Sequence, residues 1–523
     1  MASIFAILLA VLIGAHSARA GCLIVHHRAS GQDVKLEAYG EDSIRVRAIP
    51  SDAAHAFRDD LVSALVDLPA TSGSDTCAET TIAAADESSA ATAATATPPS
   101  LTHGNLKASV SASSGLLSFT RVSDGKALLT EQSVRAFAPA KLTPAAAFAQ
   151  SNFLSLELNF APVKGERIYG LGQHAKLAWD PSGAAKGQLD MKGVKGLLLA
   201  PHDGEILIPI AHSSVGYAML WNLPCLGSVE YNSTVSHWHG DAVLQLDLWV
   251  TTTAAAPAAE AALSPWAQLQ SNYADATGHA PVWPAWTTGF WQCKLRYANQ
   301  TQLMNVAREY VRRDIPLSLI IIDFFNWNDP AKPKATQNTL GDETLPATCW
   351  PNPKEMVDEL HAIGVELMVS PYSHSVSKTS VNWEAAHSGG LLAIDGDGAA
   401  NLSTPAKSYA GGYAYDLFNP AARDFAWAKM NEGYVRQYGL HHWWLDCDEP
   451  CGGTNNGSYG QNFIYNNGTW PSAFVGAAYP QMLDRMIYDG MGAPGKEYEK
   501  DNVMLGRSAW AGSQRCVNLS FWN

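Results

Sequence analysis

The chain has 523 residues, 47% of them hydrophobic and 16% charged, and carries a formal net charge of −14. Apolar content this high, with charge well below the roughly 25% of an average domain, excludes a disordered, collagen-like or coiled-coil protein. The acidic balance, without a basic stripe to neutralise phosphates, argues against a nucleic-acid partner.

Residues 1–20 hold an apolar run from Ile4 to Ile13 and end in Ala18-Arg19-Ala20. A core this short before an A-x-A-like site is expected to be a cleaved secretory signal, not a membrane span. No later segment reaches about 18 uninterrupted apolar residues, so the mature protein is expected to be secreted or lumenal, with no membrane partner. Eight cysteines are too few for a disulfide scaffold, and none has zinc spacing; Cys447 and Cys451 are expected to be a loop disulfide or two free thiols. No metal or other cofactor is expected. Asn232, Asn299, Asn401, Asn456, Asn467 and Asn518 open N-x-S/T sequons, which makes a glycoprotein the expectation in a secreted chain. Oligomeric state is not legible.

From Gly21 to residue 282 the pattern is mostly period two. In VLQLDLW (243–249) Leu244, Leu246 and Leu248 share one face, and similar strands are expected at 107–120, 153–160 and 205–221. Many short strands between turn residues indicate a β-sandwich over 21–282. Within it, the Ala/Thr/Ser-rich stretch 78–100 is expected to be a mobile insertion. Gly170 and Gly172 in IYGLGQH are expected to let the chain pass close to a neighbouring mouth, where Gln173 or His174 touches substrate. His237 and His239 share a strand face, which is no ground for a metal.

A helix is expected at 258–275, and beyond Trp283 the grammar changes. Apolar runs at 287–292, 317–323, 365–370, 441–446 and 503–507 alternate with helical segments near 301–313, 353–363, 421–438 and 473–490. Continuous apolar strands alternating with helices mean a parallel sheet, and five such units over 283–523 fit a (β/α) barrel with long loops. No glycine-rich phosphate turn follows the first strand, which disfavours a dinucleotide fold. Three of these strands end in Asp323, Asp446 and Arg507. In a barrel all C-terminal strand ends converge on one face, so two carboxylates and an arginine meet there. Seventeen Trp and eighteen Tyr, twelve of the Trp from Trp283 onward, supply rings for stacking on sugars. Paired carboxylates amid such rings are what glycosidic bond cleavage requires.

The segment WWLDCDEP, Trp443 to Pro450, resembles the W-x-D-x-x-E nucleophile motif of glycoside hydrolase family 31. The resemblance extends over IYGLGQH (168–174), GFWQCKLRY (289–297), LIIIDFFNW (319–327), MVDELHAIGVELMVS (356–370) and RSAWAGSQR (507–515), nearly the whole mature chain. It implies a galactose mutarotase-like sandwich followed by a TIM barrel, and a retaining, exo-acting α-glucosidase or α-xylosidase acting on α-linked oligosaccharides or glycosides. On that resemblance Asp446 matches the nucleophile, Glu449 the carboxylate supporting its loop, Asp323 the aspartate that binds sugar hydroxyls, and Arg507 the arginine near both. Phe325, Trp327 and Tyr372 are expected to line the sugar site. Tyr372 stands roughly where relatives carry a Trp, and Phe324-Phe325 offers bulk that could fill the space of a hexose C6 group and favour xylose. In relatives the general acid/base follows the arginine by 16 or 17 positions, which here falls at 523 or 524. No carboxylate of this chain matches it, so the barrel is expected to be incomplete after strand five, through a truncated gene model or splice variant, and the chain inactive on natural glycosides. The alternative is a non-catalytic glycan-binding protein.

Overall fold

The computed structural model describes residues 21–66, 77–83, 97–145, 147–173, 190–201, 206–254, 263–396, 403–449 and 462–516, with the backbone of 17–18 and 519–520. Most of the expected signal segment, His174, Cys451 and three sequons (Asn401, Asn456 and Asn518) lie outside the described residues.

The first half is built from largely antiparallel sheets. An eight-stranded sheet runs in the order Ile168–Gln173, Ile206–Ser213, Tyr217–Trp221, Leu246–Thr252, Ser43–Pro50, Gln32–Ala38, Cys22–His27 and Ala78–Ile82. A five-stranded sheet centred on Leu154–Phe160 and Ser236–Val243 faces it, and Trp221 of the one stacks on Trp238 of the other with ring centroids 5.4 Å apart. Alternation decides which strands lie where. Cys22–His27 and Leu154–Phe160 bury every second residue, as one-sided strands do, whereas Tyr217–Trp221 and Leu246–Thr252 are buried throughout because both faces are covered.

Two expectations change here. The stretch 78–100 opens with a strand: Ala78–Ile82 runs parallel to Cys22–His27, tied to it by a Cys22–Cys77 disulfide, and residues 84–96 of the expected insertion lie outside the described residues. Gly170 and Gly172, with φ of 110° and 98°, serve the sheet: a Cβ on either would sit 2.3 Å from the Ile210 carbonyl oxygen or 1.9 Å from that of Ile206. The strand is bulged between Gly170 and Leu171, and only glycine permits that approach.

Helix α1 (Pro265–Thr277) starts with Ser264, whose hydroxyl accepts the Ala267 N–H, and with proline in its first turn. It begins later than the pattern suggested, residues 255–262 lying outside the described set. Asn272 anchors it by donating to Thr251 Oγ1 at 2.7 Å.

Beyond it lies a parallel sheet of six strands in sequence order: β1 (Trp291–Gln292), β2 (Leu319–Ile322), β3 (Glu366–Val369), β4 (His442–Leu445), β5 (Met504–Gly506) and β6 (Leu519–Ser520). The expected fifth and last strand is therefore not an edge; Leu519 pairs with Leu505 and Ser520 with Gly506, so part of its backbone is satisfied by β6. Helices α2 (Gln300–Arg312), α3 (Pro353–Ala362), α4 (Pro420–Met430) and α5 (Tyr479–Ile487) link successive strands. In α2, Leu303 and Ala307 are buried, whereas Val311 is exposed. Strands β2 and β4 are buried at every residue, which is why they appear as unbroken apolar runs. The long βα connections after β3 and β4 carry small antiparallel pairs, Ser375–Ser377 with Gly412–Ala414 and Ile394–Asp395 with Phe463–Tyr465.

Candidate active site

Strands β2, β3, β4 and β5 are consecutive neighbours, so the residues just after them meet on one face. Asp446 follows β4 directly. In the run Trp443–Glu449 it alone is not buried; its neighbours are held in the core while its carboxylate stays partly open to solvent. Arg507, directly after β5, bridges two carboxylates: Nη1 donates to Asp446 Oδ1 at 3.3 Å and Nη2 lies 2.9 Å from Glu449 Oε1. The Arg507 backbone is fixed by donating to Leu445 O, and the next N–H, of Ser508, donates to Asp448 Oδ1 at 2.9 Å. Burial, then Glu449, Asp484 and Asp446, raises the Asp448 carboxyl well above the ordinary aspartate value.

Asp323, directly after β2, is 6% exposed. Its Oδ1 accepts the Phe324 N–H at 2.6 Å, and its Oδ2 lies 3.4 Å from Cys293 Sγ just beyond β1. Burial raises its pKa, and the charge of Asp446 adds to the shift, which puts the two aspartates in one electrostatic neighbourhood. Asn326 donates to the Asp323 and Ser370 carbonyl oxygens, tying the ends of β2 and β3 together.

The aromatic residues are placed differently from a simple stacking platform. Phe324 and Phe325 are half-buried with centroids 3.8 Å apart, and Arg296 lies over Phe325 at 5.2 Å. Trp327 and Tyr372 are buried, 2% and 3% exposed, with centroids 4.9 Å apart. Tyr372 has φ of 57° and donates its hydroxyl to Asp446 Oδ2. A tyrosine in the left-handed region is uncommon, and sequence pattern gave no sign of this contact. Nor did it reveal the Cys293–Asp323 contact or His374, which is buried beside Tyr372 and whose pKa burial lowers to about 4. Gln173 lies on the bulged strand, and His237 and His239 are engaged with Glu157.

A cleft of ≈ 810 Å³ lies elsewhere, between segment 38–66 of the sandwich and the α4–α5 side of the barrel, and includes none of these carboxylates. Strand-end position and hydrogen bonding mark the site better than cavity size does. Among the described residues, His441, His442 and Asp501 could approach a metal ion, but they lie at the opposite, N-terminal end of β4.

Fold and site together define a parallel β/α-barrel protein with a carboxylate–arginine cluster on its C-terminal face. Residues 280–523 match the model of the glycosyl hydrolases family 31 TIM-barrel domain. The chain is 33% identical over 361 residues to an uncharacterised family 31 glucosidase of Pseudescherichia vulneris, covering 69% of this chain and 60% of that protein. It is 30% identical over 518 residues to alpha-xylosidase A of Aspergillus niger, covering 93% and 63%. A crystal structure of a family 31 alpha-xylosidase from a soil metagenome, complexed with xylose, superposes with a TM-score of 0.74 at 30% identity, covering 95% of this chain and 66% of that one. The chain belongs to glycoside hydrolase family 31. It spans about 60% of the length of the first two of these relatives.

Proposed function

We propose that this protein is a retaining, exo-acting α-glycosidase with a preference for α-xylosides, its sandwich over 21–282 supporting a catalytic barrel from 283 onward. One observation carries the reading: Asp446, the single partly open residue of its run, is bound by Arg507, which also holds Glu449. Asp446 attacks the anomeric carbon, the bond to the leaving group breaks, and a β-glycosyl ester forms that water then hydrolyses. Arg507 holds the attacking carboxylate in place, and Glu449 fixes Arg507 from behind. Asp323 accepts hydrogen bonds from sugar hydroxyls that strengthen as positive charge develops on the ring. Phe324 and Phe325, half-buried beside Asp323, occupy the space a hexose C6 group would need, and two of the relatives named above are alpha-xylosidases. The Cys22–Cys77 disulfide supports a secreted or lumenal location.

The test uses α-xylosyl and α-glucosyl fluoride, because fluoride departs without a proton from the enzyme. Expected are fluoride release with the xyloside favoured, and its loss in Asp446→Asn. Binding of α-xylosyl oligosaccharides by a chain that releases no fluoride from either would replace this reading with that of a glycan-binding protein.

A further inference from the structure

Tyr372 stands in a position that sugar stacking does not explain. Its ring is buried against Trp327 and Phe324, 4.9 and 5.7 Å between centroids, so neither face is open to a ligand. Its hydroxyl, by contrast, reaches Asp446 Oδ2 and lies 3.9 Å from Cys447 Sγ. Both residues of this contact are held by unusual backbone: Tyr372 has φ of 57°, and Cys447, next to Asp446, has φ of 53°. A side chain larger than glycine occupies that region at a cost, and such positions concentrate where geometry serves a site. The turn at Tyr372 is braced on its other side, where Ser373 donates to the buried Glu343 carboxyl at 2.7 Å.

The two oxygens of Asp446 are thus served by different partners. Oδ1 takes Arg507, and Oδ2 takes the phenol. Burial first, then the Cys447 thiol and the Asp446 carboxylate, holds the Tyr372 phenol far above the ordinary tyrosine value, so it remains a donor across the working pH range. Other titratable groups around Asp446 are Asp323 at the end of β2, His374 beyond β3, Asp448 and Glu449 in its own loop, and Arg507 after β5.

We infer that Tyr372 is a positioning residue for the nucleophile: it fixes the carboxylate rotamer through a donated hydrogen bond, and does not stack on the sugar. The inference rests on the α-glycosidase reading of the same site and deepens it. When Asp446 attacks, one oxygen becomes the ester oxygen and its charge disappears. A donor that binds the carboxylate more strongly than the ester must let go in part during glycosylation and re-form its bond as the carboxylate is released. Its net benefit lies in orientation.

The experiment labels the full chain with 5-fluoro-α-xylosyl fluoride and follows intact mass as a function of reagent concentration. Asp446 displaces fluoride, which leaves with the C1–F electron pair, and the 5-fluoro group slows hydrolysis of the ester so that it accumulates. In Tyr372→Phe, which keeps the ring, the maximal labelling rate is expected to fall about 10- to 100-fold, as misplacement of the attacking carboxylate implies. The concentration that half-saturates labelling is expected to stay within about threefold, because the phenol touches the nucleophile and not the sugar. Tyr372→Met is the second hydroxyl-free variant, measured in the same way should Tyr372→Phe not fold. A wild-type chain labelled at Asp446 whose hydroxyl-free variant keeps the wild-type maximal rate, or loses only affinity for the reagent, overturns this assignment alone. A wild-type chain that takes no label overturns the glycosidase reading, and the assignment falls with it.

Discussion

The sandwich and the barrel bury charge in opposite ways. In the sandwich, Arg135 and Glu131 are both fully buried, and the guanidinium also donates to Gln32 Oε1 and Gly115 O; Arg45 pairs with Asp247, and Arg47 with Glu37. Those charges are matched within the sheets and expose nothing to a ligand. On the barrel face, Asp448 Oδ2, His374 Nε2 and Asn326 Oδ1 are buried without a hydrogen-bond partner. Burial raises the carboxyls of Asp323, Glu343 and Asp448, and Phe325, Tyr372 and Cys447 all have positive φ. Unsatisfied polar groups and backbone strain are what a folded chain normally avoids. The sandwich has such groups too, His212 Nε2 among them, but at the ends of β2, β3 and β4 they stand beside the Asp446–Arg507 pair.

Substitutions can break or sharpen that contrast. The largest effect is expected at Asp446→Asn, which should lower fluoride release from α-xylosyl fluoride by about 10³-fold or more while leaving the melting temperature within a few degrees. A parallel loss of stability would mean that this carboxylate holds the fold, as those of the sandwich do. Arg135→Met should do the reverse, costing about 3–5 kcal/mol in urea unfolding by leaving Glu131 buried and unpaired. The double variant with Glu131→Gln should recover much of that loss, since removing both partners leaves no stranded charge.

Glu343 tests the barrel side through pH. Burial raises its carboxyl from 4.5 to about 8, so the folded state holds a proton that the unfolded chain releases near pH 4.5. Stability from that proton is therefore full below about pH 4.5 and is lost as pH rises through about 8. Glu343→Gln should match wild type at pH 5 and exceed it at pH 8 by roughly 2–4 kcal/mol in denaturant titrations. An unchanged difference across that range would show that Glu343 is not protonated in the fold. The smallest effect is expected at Phe325→Ala: the preference for α-xylosyl over α-glucosyl fluoride should fall about 10-fold as room opens for a hydroxymethyl group. A constant ratio would remove Phe325 from specificity.

Much of the barrel was legible because two-sided burial writes each strand as an apolar run, and a charged residue closing such a run marks the strand end. Asp323, Asp446 and Arg507 were found that way, and the structure brings them to one face; Glu449 entered only through the resemblance of its segment to the family motif. Tyr372 was identified only as an aromatic near the sugar. Its direction depends on a positive φ after Pro371, which no periodicity encodes. Cys293 was invisible because β1 has only two residues and its contact with Asp323 joins different strands. In the sandwich the alternating strands could be read, but not the Cys22–Cys77 pairing, since eight cysteines leave many connectivities open. Neither could a bulge that needs two glycines be told from a glycine pair near a ligand.

Arg507 serves two carboxylates at once, and the carboxyl of Asp323 stands in the same neighbourhood. Among the described residues Arg507 is the cation paired with both carboxylates, which leaves their immediate surroundings with an excess of negative potential. A sugar mimic with a protonated ring nitrogen therefore has more to gain there than its uncharged isostere, and adding salt should narrow the difference between them.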